Sequence, residues 1–337
     1  MILVTGGTGL LGAHLLYKLT SSGIEVRATY RDIKRLNITE KIFSYYHSSL
    51  EELMRKIDWV KCDLLDIENV KDTFEGIRSV YHCAAKVSFH SKDAQELMQN
   101  NATATNILVN QCLVSGIEHL VYVSSVAALG REANKSFYNE NSHWKDSPEN
   151  SVYGLSKYKA EMEVWRGIEE GLNAAIVNPV IILGPGAWKE SSSTIFETIE
   201  KGFNFYTPGA NGFVDVRDVV EAMVTIANKK INRERFVLVS ENMFYKDLFS
   251  LIAKGLNKKK PRIEAKRWML WLLLYFQRTR ELLGGPKAQI TSETAASAFR
   301  ISNYSADKAI NQLGIKFIPI EHSVRDICKL KLSDSKA

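Results

Sequence analysis

Short apolar runs rich in β-branched residues alternate with longer amphipathic stretches through the first half of the chain. Runs this short, bounded by turn residues, are typical of strands buried in a sheet. They predict strands at Ile2–Thr5, Glu25–Tyr30, Asp58–Lys61, Ser79–His82, Leu120–Ser124 and Ala174–Asn178. The stretches between them predict helices at Leu11–Ser22, Ile67–Phe74, Ala94–Ser115 and Val152–Glu170. This alternation predicts an α/β fold, in which a doubly wound parallel sheet carries helices on both faces.

The pattern becomes less regular after Pro185, because clusters of glycine, proline and serine interrupt it. One more strand is predicted at Phe236–Val239, and helices are predicted at Val216–Lys229, Tyr245–Leu256, Arg267–Leu283 and Ala306–Leu313. We therefore expect a large α/β domain made of residues 1–183 and 213–240. A smaller, mostly helical domain would be made of residues 184–212 and 241–337.

Composition and charge argue against several classes of protein. Hydrophobic residues make up 45% of the chain and charged residues 24%, which is ordinary for a globular protein. The net charge of +6 is small for 337 residues, and no nucleic-acid-binding motif accompanies it, so we expect no nucleic-acid partner. The four cysteines lack CxxC or CxxxC spacing and predict neither a disulfide framework nor a metal site. No charged-then-apolar leader precedes the first predicted strand, which predicts a cytoplasmic location.

Glycines are concentrated where the first predicted strand turns into the first predicted helix. Gly6, Gly9 and Gly12 have the spacing that a dinucleotide-binding turn requires. One glycine permits the tight turn, another the close approach of the backbone to the pyrophosphate, and the third the packing of the helix on the strand. The free N–H groups at the start of the helix, around Leu10 and Leu11, would then bind the phosphates. The larger domain is therefore predicted to be a Rossmann-type domain.

The end of the second predicted strand indicates which nicotinamide cofactor is bound. Enzymes that use NAD place an acidic side chain there, about 20 residues after the glycines, on the adenosine ribose. This chain has Tyr30 followed by Arg31, with Lys34 and Arg35 close behind. A guanidinium suits a 2′-phosphate, which it binds through charge-assisted hydrogen bonds. We therefore predict NADP(H) rather than NAD(H), although Asp32 could also serve a ribose or cap the next turn.

A tyrosine and a lysine lie four residues apart in a predicted helix. Helical spacing places Tyr153 and Lys157 on one face. Tyrosine has an ordinary pKa near 10, and a nearby ammonium favours its phenolate and makes it a better acid and base at neutral pH. Ser124 and Ser125 follow an earlier strand. Together with the glycine turn, this arrangement predicts an enzyme that transfers a hydride.

These motifs resemble those of the extended short-chain dehydrogenases/reductases, which include nucleotide-sugar epimerases, dihydroflavonol reductases and 3β-hydroxysteroid dehydrogenases. The matching segments are Thr5–Gly12, Cys62–Leu64, His82–Ala85, Asn100–Asn106, Asn178–Gly186 and Phe213–Asp218. The chain departs from the family at Thr103-Ala104, where Gly-Thr is usual, and at Asn178, where Arg is usual. The segment Val26–Asp32 resembles the second strand of dihydroflavonol and cinnamoyl-CoA reductases, in which the arginine at the position of Arg31 binds the 2′-phosphate.

The resemblance implies roles for individual residues. Tyr153 would donate or accept the proton, Lys157 would also bind the nicotinamide ribose, and Ser125 would bind the substrate oxygen. Asn100, preferred to Asn101 by its spacing within the segment, would hold a water of the proton relay. Other cofactor contacts are implied at Arg35, Asp63, Leu64, Ala84, Ala85, Lys86, Ser124, Asn178, Pro179 and Val180.

The second half of the chain is aromatic, above all in the stretch Trp268–Phe276. This stretch is much shorter than the ~20 residues that span a bilayer. It could be a buried or dimer-forming helix, which is the favoured interpretation, a lid over a hydrophobic substrate, or a helix on a membrane surface. A homodimer is consistent with the family.

We predict reversible hydride transfer between NADP(H) and the carbonyl or alcohol of a hydrophobic small molecule. Two alternatives within the enzymes stay open, a nucleotide-sugar epimerase or dehydratase and a 3β-hydroxysteroid dehydrogenase-like enzyme. An alternative of another class is a non-catalytic sensor that binds NADP(H). The presence of both Tyr153 and Lys157 argues against the sensor, because relatives of that kind typically lose the pair.

Overall fold

The protein is described here from a computed structural model, which covers residues 1–47, 49–132, 135–269 and 291–335 together with Leu272, Tyr275 and Gln277. Its main feature is a sheet of seven parallel strands in the order β11-β7-β5-β4-β1-β2-β3. The strands are β1 (Ile2–Thr5), β2 (Val26–Tyr30), β3 (Ile57–Lys61), β4 (Ser79–His82), β5 (His119–Val123), β6 (Phe137–Tyr138), β7 (Ala174–Pro179), β8 (Ile181–Leu183), β9 (Phe205–Tyr206), β10 (Ala210–Asp215), β11 (Glu234–Leu238), β12 (Glu241–Phe244), β13 (Ile263–Glu264) and β14 (Asn303–Tyr304).

Helices cover both faces of the sheet, so the predicted fold class is confirmed. They are α1 (Leu10–Ser21), α2 (Leu36–Ser44), α3 (Leu50–Met54), α4 (Ile67–Thr73), α5 (Ala94–Leu97), α6 (Ala104–Val114), α7 (Val152–Glu169), α8 (Thr194–Glu200), α9 (Val216–Asn228), α10 (Tyr245–Gly255), α11 (Ser292–Ser297) and α12 (Ile320–Asp334). A π-helical segment, Met98–Thr103, joins α5 to α6. None of the helices in the described part of the chain has the length and apolarity of a membrane-spanning helix.

The sheet is hydrophobic on both faces because its central strands are buried on both sides. The central residues of β1, β5 and β7 are almost fully inaccessible to solvent. One face packs against α1 and α9, and the other packs against α6 and α7. Chain order reverses between β1 and β4, which are neighbours in the sheet. Ligands bind at such a reversal, beyond the carboxyl ends of the strands.

The carboxyl-terminal part of the chain has a hydrophobic core of its own. Phe196, Phe213, Leu248 and Ile252 form it, together with apolar residues of α12. The three-stranded sheet β12-β10-β8 borders this core. This separate core does not test the predicted division into two domains, which stays a prediction.

Several elements were missed by the sequence analysis or differ from it. The short helices α2, α3 and α8 and the 15-residue helix α12 were not predicted. The apolar positions of α12, from Ile320 through Val324 and Ile327, have helical spacing, which could have revealed it. The predicted helix Ala306–Leu313 is in part a π-helix, Ala309–Leu313. Most of the predicted helix Arg267–Leu283 lies outside the described residues, as does most of the apolar stretch Trp268–Phe276.

Candidate active site

A cleft of about 440 Å³ opens at the carboxyl ends of β1 to β4, where the strand order reverses. The residues that follow these strands line it. Residues predicted to bind the cofactor that line this cleft are Gly6, Gly9, Arg31, Arg35, Asp63, Leu64, Ala84, Ala85 and Lys86. No cluster of three or more acidic, histidine or cysteine side chains that could bind a metal ion occurs among the described residues. The cleft has the position in which doubly wound sheets bind their ligands.

The glycine turn is closely packed against the segment after β4 and against the start of α1. Gly6 has a φ of +71°, and an added Cβ atom there would lie 2.7 Å from the backbone nitrogen of Ala84. A Cβ atom on Gly12 would lie only 2.2 Å from the carbonyl oxygen of Gly6. The turn and the first turn of α1 can approach this closely only because both positions are glycine. Leu10 and Leu11 begin α1 directly behind this turn.

Replacing Gly12 with alanine should therefore destabilise the protein even without cofactor. The new methyl group would force the backbone of the turn to move, and overpacking of this kind costs about 1–3 kcal/mol. Gly9→Ala is the matched control, because its Cβ atom would meet nothing nearer than 3.4 Å and its φ of −91° suits any residue. Chemical denaturation of the two cofactor-free variants measures the difference. Equal stabilities would show that the turn adapts to Gly12→Ala.

Two arginines from the segment after β2 line the cleft. The Arg31 side chain is exposed, and its guanidinium donates a 2.6 Å hydrogen bond to the amide oxygen of Asn100. Arg35 forms a double hydrogen bond with the carboxylate of Glu190, at 2.9 and 2.6 Å. Asp32, the acidic residue between them in sequence, caps the following turn by accepting from the backbone of Lys34. Asp32 thus lines the cleft and also caps a turn.

Tyr153, in the first turn of α7, lies close to Ser125, which follows β5. Gly154 makes this approach possible, since a Cβ atom there would lie 2.9 Å from the carbonyl oxygen of Ala127 in the turn after Ser125. Burial raises the pKa of the Tyr153 phenol to about 12, and a hydrogen bond with Ser125 offsets part of this rise. The ring of Phe89 packs edge-on against Tyr153, with centroids 5.7 Å apart. The tyrosine is thus protonated at neutral pH and borders an apolar side chain.

Lys157 is buried one helical turn beyond Tyr153. Its ammonium donates hydrogen bonds to the Tyr122 hydroxyl at 2.7 Å and to the carbonyl oxygen of Val123 at 2.8 Å. Burial lowers the pKa of Lys157 to about 7, while the nearby carboxylate of Glu161 acts in the opposite direction. The spacing predicts that Lys157 lowers the pKa of Tyr153, but burial and Ser125 are the causes of the pKa shift of Tyr153 in this structure. In this structure Lys157 instead contacts β5, beside the serine–tyrosine pair.

The two neighbouring asparagines have different surroundings. Asn100, predicted to hold a water, lines the cofactor cleft beside Arg31. Asn101 is 1% exposed, and its side chain hydrogen-bonds both backbone groups of Lys86 and the hydroxyl of Ser156 on α7. The π-helical segment contains both residues, and such segments are frequent at functional sites. The structure therefore places Asn101, which the sequence analysis set aside, against the helix that carries Tyr153.

A buried carboxylate organises the polar residues beneath the site. Glu161 is 1% exposed and accepts hydrogen bonds from Ser124 at 2.6 Å and Asn178 at 2.8 Å. Its second oxygen pairs with Arg235 of β11 at 3.1 Å. Ser124, Asn178 and the adjacent Pro179 and Val180, all predicted to bind cofactor, are thus buried at the ends of β5 and β7 and do not line the cleft. Sequence analysis missed Glu161, although its i+4 spacing from Lys157 places it on the same helix face.

Comparisons with known proteins agree on one family. The model of the NAD dependent epimerase/dehydratase family matches residues 2–238. The sterol demethylase protein B of Methylococcus capsulatus is 30% identical over 265 residues, which are 77% of this chain and 76% of that protein. The anthocyanidin reductase of Arabidopsis thaliana is 27% identical over 262 residues, 71% of this chain and 75% of that protein. The resemblance to the extended short-chain dehydrogenases/reductases is thereby confirmed.

The fold also matches solved structures over its whole length. The crystal structure of UDP-glucose 4-epimerase from Thermotoga maritima, solved with UDP-glucose, superposes with a TM-score of 0.76 at 20% identity. The match covers 99% of both chains. At this identity the likeness establishes the fold and does not extend to the substrate.

Proposed function

Because the chain belongs to the NAD dependent epimerase/dehydratase family and is an enzyme of the oxidoreductase type, we propose that it is an NADP(H)-dependent reductase of a hydrophobic carbonyl compound. The observation that carries this proposal is the close approach of the start of α7, with Tyr153, to the turn that begins at Ser125, beside the apolar ring of Phe89. The glycine turn fits the dinucleotide NADP(H), which needs a turn without side chains. Any Cβ atom at Gly6 or Gly12 would collide with the backbone. Bound NADPH would supply the hydride.

Each polar side chain of the site would have a separate role in the reaction. The Ser125 hydroxyl would orient and polarise the substrate carbonyl, and the Tyr153 phenol would donate the proton that the reduced oxygen needs. Lys157 would bind the nicotinamide ribose through the third N–H of its ammonium, since the other two donate to Tyr122 and Val123. Asn101 would hold α7 against the segment after β4 and so fix the position of Tyr153. Asn100 would contact the cofactor instead, because it lines the cleft.

A hydrophobic substrate is supported by the apolar side chains near Tyr153. Val87 and Phe89 are large apolar residues that remain exposed, and Phe89 contacts the tyrosine ring. Two relatives are named for sterol and anthocyanidin compounds, which are largely apolar. We propose that residues 184–212 and 241–337 form the substrate-binding domain.

The deciding experiment measures oxidation of NADPH and NADH by the purified protein with a panel of ketosteroids, aryl ketones, dihydroflavonols and aldehydes. We expect turnover with NADPH and at least one of these compounds. The same protein is denatured to identify any retained nucleotide and is tested with UDP-sugars. Retained NAD together with conversion of a UDP-sugar would support the epimerase instead, and tight NADPH binding without any turnover would support the sensor.

The proposed preference for NADP(H) rests on Arg31, which predicts the effect of its removal. Arg31→Ala should raise the Kd for NADPH about 10- to 100-fold, because a hydrogen bond to a charged group contributes about 1.5–3 kcal/mol. The Kd for NADH should change little, since NADH lacks the 2′-phosphate. Lys34→Ala is the control, because Lys34 is an exposed cation of the same segment that does not line the cleft. Fluorescence titration measures both cofactors, and equal losses for the two would exclude a 2′-phosphate contact at Arg31.

A further inference from the structure

An ion pair joins the cleft to a distant part of the chain. Arg35 follows β2, and Glu190 lies 155 residues later, in the segment after β8. Both carboxylate oxygens accept from the guanidinium, at 2.9 and 2.6 Å, in a double hydrogen bond. Arg35 lines the cleft beside Tyr30 and Arg31. The pair therefore engages two donors of a cation that faces the proposed 2′-phosphate site.

The two arginines of the cleft differ in their partners. Arg31 donates to Asn100, a neutral amide, so its positive charge is not balanced by that contact. Arg35 is balanced by a full negative charge, and the Glu190 hydrogen bond is the main influence that raises its pKa. A phosphate that approaches Arg35 would have to compete with the Glu190 carboxylate for the donors of the guanidinium. It would also be repelled by the negative charge of that carboxylate.

Glu190 is held in this position by the fold of its own segment. The next residue, Ser191, has a φ of 49°, a left-handed conformation that costs free energy in a non-glycine residue. Ser192 and Ser193 donate to the backbone carbonyls of Ile182 and Gly184 and so fix the turn to β8. The side chains of Arg35 and Glu190 are 40% and 46% exposed. A better anion can therefore displace Glu190 from Arg35, and water can solvate the freed carboxylate.

We propose that Glu190 is a specificity-determining residue, which occupies Arg35 in the cofactor-free protein and competes with the 2′-phosphate of NADP(H). This inference rests on the proposed function, because it concerns the same cofactor site. Binding of the 2′-phosphate would release Glu190 and with it the segment that leads from β8 toward the proposed substrate-binding domain. Binding of NAD(H) would leave the pair intact. Glu190 thus lowers the preference for NADP(H) that the two arginines create.

The test compares cofactor affinities of Glu190→Gln, which keeps the shape of the side chain and removes its charge. The Kd for NADPH should fall about 2- to 5-fold, the range that corresponds to a modest surface ion pair, and the Kd for NADH should stay the same. Adenosine 2′,5′-bisphosphate should gain as NADPH does, and AMP should not. An equal effect on NADPH and NADH, no effect, or weaker binding of NADPH would overturn the proposal.

Two controls separate competition from general effects of charge or folding. Glu221→Gln removes the same charge from an exposed pair with Lys18 that does not line the cleft, and it should change neither Kd. In an Arg35→Ala background, Glu190→Gln should have a clearly smaller effect on the Kd for NADPH, because the competition for Arg35 is gone and only the repulsion between the carboxylate and the phosphate is relieved. Thermal unfolding of the cofactor-free variants checks that each is folded.

The outcome for Glu190 can be distinguished from the outcome for the proposed function. If the wild-type protein binds NADH better than NADPH but Glu190→Gln selectively strengthens NADPH binding, the inference stands and the cofactor preference is wrong. If NADPH is preferred but Glu190→Gln has no selective effect, the inference fails and the proposed cofactor stands. A wild-type protein that binds neither dinucleotide would refute both.

Discussion

Tyr153→Phe should lower kcat by about 10²- to 10⁴-fold, the range typical of the loss of a general acid or base. Phenylalanine keeps the ring that packs against Phe89 but removes the hydroxyl that hydrogen-bonds with Ser125. The substrate oxygen would then lose its proton donor, while the glycine turn and the arginines of the cleft would be unchanged. We therefore expect the Kd for NADPH to stay within about twofold of the wild-type value, since no large free-energy difference is involved.

A second tyrosine of α7 provides the control for this prediction. Tyr158→Phe makes the same chemical change on the same helix, at a ring that stacks on Trp144 with centroids 4.7 Å apart. It should leave kcat near the wild-type value. Steady-state kinetics with a substrate from the panel and a parallel cofactor titration measure both variants. If Tyr153→Phe retained most of its activity, another group would have to deliver the proton and the proposed mechanism would be wrong.

Glu161→Ala should destabilise the protein by about 3–5 kcal/mol, the usual cost of removing one partner from a buried ion pair. The Arg235 side chain is only 14% exposed and would lose its carboxylate partner. Ser124 and Asn178 would lose a hydrogen-bond acceptor in the same fully buried region. Each of these polar groups was removed from water on folding, so the loss of a partner there costs free energy, even though Arg235 and Asn178 keep their hydrogen bonds to backbone carbonyls.

The matched control again lies on α7. Glu169 pairs with Arg233 at 2.6 Å, but these side chains are 74% and 54% exposed, so Glu169→Ala should cost at most about 1 kcal/mol. Both variants replace a glutamate of the same helix that pairs with an arginine near β11. Urea denaturation of the cofactor-free proteins gives the two free energies of unfolding. Similar losses of unfolding free energy in the two variants would mean that the buried interactions of Glu161 stabilise the protein no more than a surface ion pair does.

Much of the fold and of the site could be predicted from the sequence, because the patterns that indicate them involve residues close together in the chain. The predicted strand Ser79–His82 and the other strands of the main sheet agree with the structure to within about two residues. The order of alternating strands and helices is sufficient to predict the parallel sheet, since right-handed crossovers leave few other arrangements. Tyr153 and Lys157 lie on one face of α7 as the helical repeat requires. Gly12 faces the turn at Gly6 for a similarly local reason.

The choice between Asn100 and Asn101 could not be made in this way. Neighbouring residues on a helix differ in direction by about 100°, so the packing of the helix decides which one is buried. The π-helical segment adds a further change of phase that no periodic pattern reveals. The sequence analysis therefore chose Asn100, and the structure places Asn101 against Ser156 of α7.

The sequence by itself determined the fold class, because the alternation of strands and helices is visible along the chain. It also determined the glycine turn and the placement of Tyr153 and Lys157 on one helix face, because each depends on residues within one turn or one strand–helix junction. Only the tertiary structure decided the partners of the charged groups. It paired Arg35 with Glu190, and Arg235 with Glu161. The physical reason is that an ion pair needs two charges a few ångströms apart, and for residues far apart in the chain this distance is set by how helices and strands pack.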